Sequence, residues 1–196
     1  RSGLDINSIA KSIMKLRPVE GRLEKIGMLK NNSKAILDYA HTPEALETIL
    51  RNIKEQFPLS KIKLVFGCGG DRDKTKRLKM GKIASKFADI IYLTDDNPRS
   101  ENPSKIRNEI KKGIKKKEII EISNRKSAIN NCISDLHTGE IAIIAGKGHE
   151  RTQEYNNKQY YFSDRVEILN SINIKNEKLF SDKRLNIIQE KTKSIP

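Results

Sequence analysis

Residues 62–87 read IKLVFGCGGDRDKTKRLKMGKIASKF. Ile62–Phe66 is a short apolar run of strand length. Gly67–Lys74 is a turn crowded with glycine and charge, and Met80, Ile83, Ala84 and Phe87 then recur at helical spacing. A buried strand, a polar loop and an amphipathic helix in that order make half of a βαβ unit.

The same order repeats on either side. Ala35–Tyr39, Ile90–Leu93, Ile119–Ile122 and Ile141–Ala145 are further apolar runs of four or five residues. Between them, Leu46, Ile49, Leu50, Ile53 and Phe57 form one helical stripe, and Ile106, Ile110 and Ile114 another. Continuous apolar runs are expected of strands covered on both faces. The fold class is therefore α/β, with a Rossmann-like, doubly wound and mostly parallel sheet flanked by helices. Thr42-Pro43-Glu44 predicts a helix start, with a hydroxyl cap, proline in the first turn and an acid beside it. Asn102-Pro103-Ser104 predicts a second. The lysine-rich run 111–117 is read as the solvated end of that helix, with Gly113 weakening its last turn.

The composition narrows the function. Of 196 residues, 36% are hydrophobic, enough for a core. No apolar run approaches the roughly 18 residues a membrane span needs, and the first residues lack the pattern of a signal peptide, so a soluble protein is expected. Two cysteines, Cys68 and Cys132, point to a reducing, cytoplasmic setting without disulfides. The net charge of +14 is divided evenly, with 19 basic against 12 acidic residues in 1–98 and 20 against 13 in 99–196. Most of the cations are lysine and aromatics are only 5%. That pattern suits a lysine-coated surface better than a nucleic-acid platform, which interleaves aromatics with arginine. A basic α/β module docking on nucleic acid is the competing class.

In an open parallel sheet the ligand sits beyond the carboxyl ends of the strands. Four such ends carry dense polar chemistry: 38–41 (DYAH), 67–74 (GCGGDRDK), 94–99 (TDDNPR) and 146–151 (GKGHER). The fourth strand's end, 121–125, looks ordinary. Neither glycine loop has a G-x-G-x-x-G or G-x-x-x-x-G-K-[ST] spacing. His41, His137 and His149 lack metal-ligand spacing, so no metal site is expected. His137 is expected to face solvent beyond a helix end, and Cys68 to be a small residue in a tight turn. Arg72 and Arg99 are candidates to clamp a carboxylate, with Pro98 stiffening the loop that aims Arg99. The alternative for Arg99 is a surface pair with Asp95 or Asp96. Glu150 offers the opposite charge, and a site with both signs suits a zwitterion such as an amino acid.

Taken in order, DYAHTPEALE (38–47), FGCGGDRDKTKR (66–77), TDDNPR (94–99), AGKGHE (145–150) and Ser163-Asp164-Arg165 resemble the C-terminal domain of the Mur ligases, in the branch that adds diaminopimelate. The resemblance runs from about Arg17 to Asn170. It implies an ATP- and Mg2+-dependent ligase of peptidoglycan synthesis, which phosphorylates the carboxylate of UDP-N-acetylmuramoyl dipeptide and lets an amine of meso-2,6-diaminopimelate attack. It also implies that Arg72, Asp96, Asn97, Pro98, Arg99, Gly146 and Glu150 bind meso-diaminopimelate, and that Arg22, Asp38 and His41 contact ATP. No residue here is implied to be catalytic or to ligate metal. A lysine-adding Mur ligase is the near alternative, disfavoured by Arg99. Residues 1–18 are expected to end a central ATPase domain, 19–175 to form the C-terminal domain and 176–196 to be a polar tail or connector. The chain is thus expected to be a fragment, inactive alone and monomeric, with no nucleic-acid or membrane partner.

Overall fold

The computed structural model describes residues 5–13 and 19–193. The chain runs α1 (Ile6–Ile13), β1 (Glu24–Lys25), β2 (Lys34–Asp38), α2 (Pro43–Gln56), β3 (Ile62–Phe66), α3 (Thr75–Phe87) and β4 (Ile90–Leu93). It continues with α4 (Pro103–Lys111), β5 (Glu118–Glu121), α5 (Arg125–Ser134), β6 (Ile141–Ala145), β7 (Thr152–Tyr155), β8 (Lys158–Tyr161) and α6 (Asp164–Lys193). Residues 1–4 and 14–18, within the segment expected to end a preceding domain, lie outside the described residues.

Six strands pair in the order β1-β2-β6-β3-β4-β5. All neighbours are parallel except β1, which lies antiparallel on β2. The five expected strands form the parallel part. Alternate residues of each strand feed separate cores. Ile36, Leu64, Phe66, Ile91 and Ile143 pack with α2, α3 and α4, whereas Leu37, Val65, Tyr92 and Ile144 pack with α5 and α6. This two-sided burial is why the runs are apolar without alternation. The expectation fails for β5, an edge strand whose four residues are all at least partly exposed. Lys63 interrupts β3 without a penalty because its ammonium donates to the Asp135 carbonyl at 2.6 Å and pairs with Glu140 at 3.0 Å.

Both predicted caps form. Thr42 accepts from the Ala45 amide, and Asn102 from Ser104 and Lys105. Gly113 has a different role from the one expected. A Cβ there would lie 2.2 Å from the Leu78 carbonyl, and one on Gly81 would lie 2.1 Å from that of Ile110. The two glycines let α3 and α4 cross closely.

The region expected to be a polar tail begins inside α6, whose backbone stays helical to Lys193. Asn176, at the expected boundary, donates to the Met28 carbonyl and accepts from the Lys30 amide. The start of α6 is fixed by Arg125 and Asp164, both without exposed surface, which meet in two hydrogen bonds of 2.7 Å. Arg125 also donates to the Ala145 carbonyl at the end of β6. Residues 121–125, read as ordinary, therefore contain a buried cross-link between α5, β6 and α6.

Candidate functional site

At the carboxyl ends of β2, β6, β3 and β4 lies an open cavity of about 570 Å³. His41, Arg72, Asp96, Asn97, Arg99, Gly146 and Glu150 line it, whereas Arg22, Asp38 and Pro98 do not. Three loops meet there, and each is held by contacts that explain its composition.

The loop after β4 turns through Arg99, whose φ of +54° is uncommon for a side-chain-bearing residue. The hairpin β7–β8 compensates. Arg99 donates its amide to the Glu154 carbonyl at 3.1 Å and accepts from the Asn156 amide at 2.7 Å. Its guanidinium donates to the Gly70 carbonyl at 2.7 Å and pairs with Glu154 at 3.2 Å. The pairing with Asp95 or Asp96 considered from sequence does not occur. Asp95 meets Arg107 and the Tyr155 hydroxyl instead, and burial pushes its carboxyl up despite the arginine. Gln153 donates to the Asp96 carbonyl at 2.7 Å, completing the hairpin's hold on this loop.

The loop after β3 is latched to the same turn. The Gly70 amide donates to the Asn97 carbonyl, and a Cβ on Gly70 would lie 1.9 Å from the Pro98 carbonyl. Asp71 accepts from the Ser100 amide and hydroxyl, and donates its own amide to Glu101. Arg77, fully buried, clasps Glu101 and Glu109 and donates to the Gly69 carbonyl. Hydrogen bonding from Arg77 holds the Glu101 carboxyl down at about 2. Arg72 is exposed and pairs with no carboxylate among the described residues. Cys68 is buried against Met80, and burial pushes its thiol up to about 12, so it offers no nucleophile at neutral pH.

The loop after β6 turns at Gly146 (φ +118°) and Gly148 (φ +52°). A Cβ on Gly146 would lie 2.7 Å from Asp96 Oδ2, so glycine lets that carboxylate stand close to the loop. Between the glycines, Lys147 is wholly buried. It donates to Asn97 Oδ1 at 2.8 Å and to Glu150 Oε2 at 3.1 Å, with Asp96 Oδ1 at 3.9 Å.

Beside the cavity, the Tyr39 ring lies 4.6 Å from the His41 ring and 5.3 Å from that of His149, with Arg22 over its face at 5.4 Å. Asp38 is 8% exposed, and its carboxylate oxygens accept from the Leu23 and Ala40 amides at 2.7 Å each. His137 is exposed in the turn after α5. Among the described residues no group of three or more His, Cys, Asp or Glu could hold a metal ion.

The reading from sequence placed no role on Lys147, Gln153 or Glu154. The hairpin had a signal in Asn156-Asn157, both at positive φ, which is the asparagine-rich two-residue connection of a tight hairpin.

Comparison with known proteins gives a consistent set. The family model for Mur ligase, glutamate ligase domain, matches residues 21–148. A UDP-N-acetylmuramoyl-L-alanyl-D-glutamate--2,6-diaminopimelate ligase of Rickettsia felis is 47% identical over 163 residues, covering 83% of this chain and 30% of the relative. A ligase of the same name from Buchnera aphidicola subsp. Baizongia pistaciae is 45% identical over 172 residues, 87% of this chain and 34% of the relative. A solved structure with that ligase name superposes with a TM-score of 0.74 at 37% identity, covering 88% of this chain and 35% of the other. The chain thus spans about a third of the length of the relatives it matches. The α/β fold and the extent of these matches place the chain in the Mur ligase family, as its glutamate ligase domain.

Proposed function

We propose that the chain is the amino-acid-binding C-terminal domain of an ATP-dependent ligase. That ligase adds meso-2,6-diaminopimelate to UDP-N-acetylmuramoyl-L-alanyl-D-glutamate in peptidoglycan synthesis. The observation that carries this reading is Arg99. Its guanidinium is anchored by Glu154 and Gly70 yet keeps further N–H donors at the cavity wall. Diaminopimelate differs from lysine by one carboxylate, and a fixed arginine is the group that tells them apart. Asp96 and Glu150 supply acceptors for an ammonium at the same cavity, Asn97 keeps one amide N–H for an acceptor of the ligand, and Arg72 is free to meet a second carboxylate. Pro98 and Gly146 shape the two loops.

ATP supplies the phosphoryl group that activates the dipeptide carboxylate. The Tyr39 ring with Arg22 and His41 fits a nucleotide, offering an aromatic face flanked by a cation. Asp38 holds the Arg22-Leu23 segment in place through the Leu23 amide. Mg2+ is assigned to the rest of the ligase, because the donor sets present here do not suit it. The two buried free thiols, Cys68 and Cys132, accord with a cytoplasmic enzyme, and the absence of a membrane-crossing helix among the described residues raises no conflict.

Calorimetric titration of the protein in its natural length with meso-diaminopimelate and with L-lysine tests the reading. Tighter binding of diaminopimelate is expected. Binding of neither would refute it.

A further inference from the structure

The role proposed above leaves the buried ammonium of Lys147 unused. A charge without exposed surface is costly unless its donors are matched. Lys147 meets Asn97 and Glu150, and Asn97 closes the triangle by donating to Glu150 Oε2 at 3.2 Å. Asn97 Oδ1 also accepts from the Glu154 amide at 3.0 Å, so the triangle is tied to the hairpin that braces Arg99. The other buried cation nearby, Arg125, is engaged by Asp164. Arg125 also acts on Asp96 and Glu150 from a distance, but Lys147 is the cation that contacts Glu150 directly and stands nearest Asp96.

The geometry points to Lys147 as a positioning residue for the amino-acid site: its ammonium locks the side chains of Asn97 and Glu150 and offsets the acidic charge that would repel the second carboxylate of the amino acid. The inference rests on the amino-acid-binding reading above. Lys147 touches the ligand through neither group; it acts through Asn97 and Glu150. Removing its charge leaves the two carboxylates with only the more distant Arg125, whose charge Asp164 already engages. That change penalises diaminopimelate, which brings an extra carboxylate, more than it penalises lysine.

The test compares wild type, Lys147→Gln and Lys147→Met in the protein of natural length, by KM for meso-diaminopimelate, L-lysine and ATP and by calorimetric titration. The KM for diaminopimelate is expected to rise about 10- to 100-fold. The KM for lysine should rise several-fold less, so selectivity falls, and the KM for ATP should stay near wild type. Lys147→Gln deletes the charge while keeping a polar donor at the buried position, so it decides the matter if Lys147→Met does not fold. Wild-type affinity for diaminopimelate in both variants would overturn the inference and leave the functional reading standing. Equal losses for diaminopimelate, lysine and ATP would also overturn it, by showing general damage to the site. A wild type that binds neither amino acid would remove the functional reading itself.

Discussion

Arg99 keeps an unfavourable backbone conformation only because the hairpin takes both its amide and its carbonyl. Its side chain is therefore aimed before any ligand arrives. Arg99→Ala should weaken meso-diaminopimelate binding by about 2–5 kcal/mol, leave lysine binding less affected and leave the fold intact, measured by titration and far-UV circular dichroism. Glu101 carries a different prediction. Its folded carboxyl titrates near 2, below the usual value of 4.5, so its contribution to stability is complete above about pH 4.5 and fades as pH falls toward 2. Glu101→Gln should cost roughly 2–4 kcal/mol at neutral pH and flatten the acid limb of a stability–pH curve obtained by urea unfolding. An unchanged acid limb would mean that the Arg77–Glu101 pair does not supply it.

The elements that were legible in the sequence are those whose signals are local. β2, β3, β4 and β6 announce themselves as apolar runs, and α2 and α4 by a capping residue followed by proline. Asn102→Ala should lower stability by about 0.5–2 kcal/mol, read from the thermal midpoint. The hairpin was legible only through Asn156-Asn157, because TQEY and KQYY are polar and mostly exposed, and their partner is the turn at Arg99 more than the core. α5 was hidden because its buried face includes Arg125, and α6 because its N-terminal contacts are with distant segments. The candidate site was legible as four strand ends, yet Lys147, Gln153 and Glu154 were not, since their importance lies in contacts 50 or more residues away. Replacing residues 152–161 by a short glycine–serine link should abolish amino-acid binding while shifting the thermal midpoint by only a few degrees, because the hairpin adds little to either core.

Over the whole molecule the charge of +14 is divided evenly between the two halves of the sequence and is mostly lysine, so any affinity for DNA should be weak and vanish as salt is raised toward 0.2 M, measured by fluorescence anisotropy. These 196 residues alone should show no ATP turnover in a phosphate-release assay, since they contain no G-x-x-x-x-G-K-[ST] loop. The strand order has a temporal side. β6 sits between β2 and β3, pairing Lys34 with Ile141 on one side and Ile62 with Ile141 on the other. During synthesis β2 has no parallel neighbour until the chain has been made through Ala145, and such distant pairings form slowly. A nascent chain halted before Ile141 can join β3, β4 and β5, but it cannot bring Asp38, Gly67 and Gly146 to a common edge. The cavity is consequently among the last features the growing polypeptide acquires, after most of the helices that will cover the sheet have already left the ribosome.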